Sequence, residues 1–134
     1  MAYARYRPSN KLIILKNYGR NPTAEERRFM DRMGKLPCIA CLLHGQKSYE
    51  ISLHHIDGRV KPGAHMRILP LCVWHHQHAA PREFRQRYPW LIPVHACGSV
   101  GGKSDFERRN NTQEFLLELA ISLVDKIESG QLIL

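Results

Sequence analysis

The sequence has no apolar run near the roughly 20 residues that a membrane-crossing helix requires, although 43% of its residues are hydrophobic. Its start, Met1 to Pro8, has neither the apolar core nor the small-residue cleavage site of a secretory leader. Together these absences exclude a membrane-spanning helix and lead us to expect a cytoplasmic protein. Acidic residues are scarce: 12 Asp+Glu face 20 Lys+Arg, leaving a formal net charge of +8. Such a surplus favours a polyanionic partner, most commonly nucleic acid. There is no internal repeat, so a solenoid is excluded. Cysteines number four, at positions 38, 41, 72 and 97. Four thiols in a reducing compartment do not make a disulfide framework, and their spacing points to metal ligation instead.

What is present suits one small domain of 134 residues. Residues 1–18 form a basic arm in which Arg5, Arg7, Lys11 and Lys16 offer positive charge, with the short apolar run Leu12–Leu15 inside it. The domain proper runs over 19–134. Thr23-Ala-Glu-Glu26 is a capping box that starts a helix over 24–33, which Gly34 ends. Cys38-Ile-Ala-Cys41 reads as a metal knuckle in a turn. Ile51–Ile56 and Ile68–Leu71 read as strands around a basic loop that opens with Asp57-Gly58. Helical character over 72–80 stops before Pro81, and Pro81–Arg87 adds another helical turn or two. Tyr88–His95 reads as extended, and Gly98–Lys103 as a flexible loop. A mostly buried C-terminal helix spans about 112–129, with Asn111 and Glu114 as cap-like residues and Phe115, Leu116, Leu119, Leu123 and Ile127 at helical spacing.

The chemistry concentrates in Pro70–Pro81, where Cys72, His75, His76 and His78 fall within seven residues. Cys38 and Cys41 with Cys72 and His75 supply two knuckles that wrap one tetrahedral zinc. His78 is the alternative fourth ligand. Such a closed site is structural, because it has no open position for a substrate. Upstream, His54 and His55 are neighbours on a strand and point to opposite faces. One of them can bind a metal while the other, titrating near neutral pH, acts on water.

The order Cys-x-x-Cys, Leu-His-His, Leu-Cys-x-x-His-His resembles the HNH nucleases with their ββα-metal fold. The resemblance narrows on Leu36–Cys41, Ser52–Ile56, Leu69–Cys72, Trp74–Pro81, Tyr88–Leu91, Pro93–Ala96 and Val100–Lys103. Over about residues 19–107 these stretches are similar to the bacteriophage Ref (recombination enhancement function) family of RecA-dependent nucleases. The resemblance implies an α+β fold with a small HNH-type ββα-metal core, a structural zinc site and flanking helices. It implies His55 as general base and His54, His76 and His95 as ligands of a catalytic Mg²⁺ or Mn²⁺. The implied partners are DNA, single-stranded or as RecA-bound duplex, and the RecA filament itself, in a bacterial host carrying the phage or prophage gene.

Two departures stand out. The middle asparagine of HNH is not evident, its position falling near Arg67, and Ala80 stands where many relatives place a further ligand. Arg59, Lys61 and Arg67 in the loop between the strands are expected to contact DNA phosphates. The competing reading is a non-catalytic, zinc-stabilised module that binds nucleic acid. That module needs the three cysteines and one histidine, but has no use for His54, His55, His76 and His95 together. A thiol redox protein is a third class and requires Cys38 and Cys41 free of metal.

Overall fold

The computed structural model describes residues 21–134. The basic arm and its apolar run lie outside the described residues. In chain order the elements are α1 (Ala24–Met33), α2 (Ile39–Leu43), β1 (Ile51–His55), a 3₁₀ turn (Ala64–Met66), β2 (Ile68–Cys72), α3 (Val73–His76), α4 (Arg82–Arg87), α5 (Lys103–Asn110) and α6 (Gln113–Glu128). This is the expected small α+β architecture. The capping box forms as read: Thr23 Oγ1 accepts the Glu26 amide at 3.1 Å, and Glu26 Oε1 accepts the Thr23 amide at 2.8 Å.

β1 and β2 make an antiparallel hairpin with Ile51 opposite Cys72 and His55 opposite Ile68. The Ile56 amide donates to the Arg67 carbonyl at 3.0 Å. Hydrogen-bonded pairs alternate along an antiparallel ladder, so His54–Leu69 is a bonded pair and Leu53–Pro70 is not. Proline is therefore tolerated at position 70, where no ladder donor is needed. Every residue of both strands is buried, because α1, α2, α3 and α6 all pack on β2. The core cluster joins Phe29 and Met33 of α1 to Ile51, Leu53, Ile68, Leu69 and Leu71 of the hairpin, Phe106 of α5, and Leu116, Leu117, Ala120 and Val124 of α6.

Five local expectations differ from the structure. The Cys38–Cys41 knuckle is helical rather than a turn, with Cys38 as N-cap of α2. The helix expected over 72–80 lasts one turn. To continue, it would need the His75 and His76 carbonyls for the amides of residues 79 and 80. Those carbonyls instead accept the Val94 and His95 amides at 2.8 and 3.0 Å. The stretch after the Gly101–Gly102 pair is not all loop, since α5 begins at Lys103. The α6 cap is Thr112, whose Oγ1 accepts the Phe115 amide at 3.0 Å. Asn111 closes α5 with a left-handed φ of 80°, which asparagine tolerates better than most residues. α6 turns Gln113, Leu116, Leu117, Ala120 and Val124 inward and leaves Phe115 and Ile127 exposed. Among the described residues, no helix is long and apolar enough to cross a membrane.

Gly101 is the glycine on which the site most depends. Its φ is +82°, and a Cβ there would lie 2.4 Å from the Pro93 carbonyl oxygen, two residues before His95. Gly98, with φ +61°, has nothing within 4 Å of the same position. Gly98→Ala is expected to cost about 1–2 kcal/mol, the left-handed penalty alone. Gly101→Ala adds a backbone clash and is expected to cost about 3–4 kcal/mol in chemical denaturation. Equal losses in the two variants would contradict this account of the 93–102 loop.

Candidate metal centres on the hairpin

Cys38 and Cys41 enter from α2, Cys72 ends β2, and His75 lies one helical turn further on. His75 Nδ1 is 3.5 Å from Cys38 Sγ, 3.4 Å from Cys41 Sγ and 3.5 Å from Cys72 Sγ. Cys41 Sγ and Cys72 Sγ are 3.8 Å apart. Zinc–sulfur bonds of ~2.3 Å and a zinc–nitrogen bond of ~2.0–2.1 Å define a tetrahedron with edges of about 3.8 and 3.6 Å. The apices already stand at those separations. His75 Nε2 donates to the Trp90 carbonyl at 3.0 Å, so Nδ1 turns its lone pair toward the sulfurs. The Trp90 ring lies between the His75 and His44 rings, with centroids 5.8 and 4.2 Å away. Asn110 ties the layer together: its amide reaches the Trp90 carbonyl at 3.0 Å, and its oxygen lies 2.9 Å from His44 Nε2.

The electrostatics of this cluster are unsettled without a cation. Hydrogen bonds with Cys38 and Cys72 push the Cys41 thiol up, while contacts with Cys38 and Cys41 pull Cys72 down. Burial opposes charge on His75, yet its bonds to Cys38 and Cys72 carry it up to about 10. A dication that takes all three sulfurs as thiolates and the imidazole as neutral resolves the competition. The donor set fits zinc. His78 is exposed and stands outside this four-residue group.

The second cluster is built from imidazoles. His54, His76 and His95 each offer a ring nitrogen within 4.8 Å of the other two. Their ring centroids are 4.9 to 5.4 Å apart. His95 is brought to His76 by the backbone bond that also ends α3. Ser52 Oγ holds His76 Nδ1 at 2.6 Å, and the tautomer that donates there leaves Nε2 bare. His54 Nε2 donates to Gln113 Oε1 at 2.7 Å. Among the described residues, His54 Nδ1 is the buried side-chain nitrogen or oxygen left with no hydrogen-bond partner. Burying an imidazole nitrogen with nothing to accept or donate costs about 1–3 kcal/mol, and a cation removes that cost. Burial pushes His54 down to about 4. Burial, reinforced by His54 and His95, pushes His76 down to about 3. Both rings are therefore neutral at pH 7, which is the form that ligates a metal.

Residues 22–125 match the model of the recombination enhancement, RecA-dependent nuclease family. The chain belongs to that family. As a RecA-dependent nuclease it acts in recombination, where its family involves DNA and RecA.

The remaining predicted residues of this RecA-dependent nuclease lie outside the two clusters. His55 is outside the imidazole triad: its Nε2 lies 3.0 Å from His65 Nδ1. Burial first, then the nearby Arg59 charge and His65, push His55 down to about 3. The Arg59 charge is felt at His76 as well. The Arg67 guanidinium first, then Lys61 and Lys103, lower the Asp57 carboxyl. Arg67 is held by carboxylates on two sides, Asp57 in the loop and Glu114 on α6. It thereby fixes the loop that carries Arg59 and Lys61. Cys97 is partly exposed and belongs to neither cluster.

Ser52, Trp90, Asn110 and Gln113 support these centres and His65 pairs with His55, and none of the five stands out in the sequence. Ser52 was within reach of period-two reasoning, since it shares a strand face with His54. Gln113 is 59 residues from His54 and carries no local signal.

The cluster geometry predicts one tightly held zinc per chain. Cys38→Ser or Cys72→Ser is expected to abolish stoichiometric zinc and the cooperative thermal transition, whereas Cys97→Ser is expected to leave both unchanged. Metal analysis and circular dichroism melts measure this, and a wild-type melt in Cys38→Ser contradicts a structural role for the cluster.

Proposed function

We propose that the chain is a metal-dependent DNA endonuclease of the HNH type that cleaves DNA held in RecA filaments or strand-exchange intermediates. One observation carries this reading. His54, which carries a buried ring nitrogen without a partner, meets His76 and His95 at ligand spacing, with His55 next to it on the same strand. A structural zinc module would have no need of this second set of neutral histidines.

His54, through Nδ1, His76 and His95 would hold the working cation, Mg²⁺ or Mn²⁺. The zinc at Cys38, Cys41, Cys72 and His75 holds the fold. The donor set of the second cluster is rich in imidazole and also suits zinc. When bound, the cation supplies Lewis-acid stabilisation of the negative charge that grows on the phosphate during hydrolysis. The protein's own residues do the rest. Burial holds His55 well below the neutral range expected of a free histidine, and the negative phosphate that DNA brings beside it raises its basicity; the neutral ring then takes a proton from water as the water oxygen forms a bond to phosphorus. The bond from phosphorus to the 3′ oxygen breaks, its electron pair stays on that oxygen, and a solvent proton completes the 3′ hydroxyl. The other product end is a 5′ phosphate. Arg59 and Lys61 pull the backbone phosphates toward the histidines, while Arg67 keeps their loop in place and adds its positive charge beside the strand path.

The test is a cleavage assay on plasmid DNA with Mn²⁺ or Mg²⁺, with and without RecA, ATP and a homologous single strand. Wild type is expected to cut only where RecA has paired the strand. His55→Ala is expected to lower the rate by about 10²–10⁴-fold with an unchanged melt and zinc content. A wild-type protein that binds DNA and zinc but stays inert in every condition supports the non-catalytic module instead.

A further inference from the structure

Gln113 stands at the first position of α6, and no step of the proposed reaction uses it. It is nevertheless 4% exposed, which is unusual for a glutamine at the start of a helix. Its Oε1 lies 2.7 Å from His54 Nε2, so the ring nitrogen facing α6 carries the hydrogen. The other nitrogen of that ring is the partnerless buried Nδ1. The two facts belong together: the glutamine decides which His54 nitrogen is bare and where it points. α6 is itself anchored at this turn. The Gln113 amide donates to Glu107 Oε2 at 3.0 Å, the Thr112 hydroxyl caps the helix, and Glu114 holds Arg67, which also holds Asp57. A helix start anchored at three points gives the Gln113 side chain a fixed base from which to hold a ligand ring to the narrow range of angles a metal needs.

Resting on the reading of His54, His76 and His95 as a cation site, we infer that Gln113 is a positioning residue for that site. It sets the tautomer and orientation of His54 from the C-terminal helix, so that α6 is part of the metal centre as well as of the core. An acceptor oxygen at this place also makes the ligand nitrogen more electron-rich, and a carboxylate would do so more strongly.

The test titrates zinc-loaded full-length protein with Mn²⁺, following free Mn²⁺ by electron paramagnetic resonance, for wild type, Gln113→Leu and Gln113→Glu. Zinc content and thermal melt are recorded for each. Gln113→Leu is expected to raise the Mn²⁺ dissociation constant by about 10–100-fold, with zinc retained. Gln113→Glu, which keeps an acceptor oxygen in the same place, is expected to bind at least as tightly as wild type. Unchanged Mn²⁺ affinity in Gln113→Leu overturns the inference while leaving the cation site standing. Binding as weak in Gln113→Glu as in Gln113→Leu overturns it too, by showing that the acceptor is not what matters. A wild-type protein that takes up no Mn²⁺ beside its zinc overturns both the inference and the cation site beneath it.

Discussion

The backbone step from His75 to His76 is the constraint on which the rest of the molecule depends. Adjacent helical residues diverge by about 100°, so one turn of helix presents one imidazole to three sulfurs and the next to two other imidazoles. The step works only because the chain is held on both sides of it. β2 delivers Cys72 at the start of the turn, and the Val94 and His95 amides of the 93–102 loop donate to the His75 and His76 carbonyls at its end. Lengthening α3 would take those carbonyls back and release His95 from the second cluster. The short helix is therefore a condition of the site.

The same economy appears in the supporting shell. α5, a mostly polar helix with Phe106 and Asn110 as its buried residues, contributes both to the sulfur cluster. Phe106 packs edge-on against His75 at 6.0 Å, and Asn110 fixes Trp90. α6 contributes Gln113 to the imidazole cluster and Glu114 to the loop clamp. Each flanking helix thus ties the core to one of the two clusters. Zinc ligation at the Cys38, Cys41, Cys72 and His75 cluster would matter to so small a core, since the gain from burying a few dozen apolar side chains is nearly matched by the entropy of ordering the chain.

Much of this was legible in the sequence where the signal was local. The capping box at Thr23–Glu26 and the two strands are patterns over four to six residues and form where the sequence puts them, the strands to within a residue; the Cys38–Cys41 and Cys72–His75 pairs come together as one group, with Cys38–Cys41 helical rather than in a turn. The imidazole triad was reached only through resemblance, because His95 is far along the chain from His54 and no spacing rule joins them. α5 went unread because Lys103–Asn110 offers one apolar residue after a pair of glycines and looks like loop. The helix over 72–80 was overextended because what stops it is tertiary, two amides arriving from Val94 and His95. Phe115 was assigned to the core by its helical spacing, yet α6 is rotated so that Gln113 faces His54 and Phe115 meets solvent. Arg67 was read for its charge toward DNA, while its two carboxylate partners, on the loop and on α6, are set by the fold.

The central claim is that one hairpin and one helical turn hold two different metal environments, one that maintains the fold and one that serves the chemistry. Metal counting during stepwise chelation, with the circular dichroism melt recorded at each step, tests it most directly. The account predicts that protein loaded with zinc and a second divalent ion loses the second ion first with its melt nearly intact, and unfolds only when the zinc leaves. Loss of a single metal class, or unfolding in step with the first ion removed, would contradict the division between the two centres.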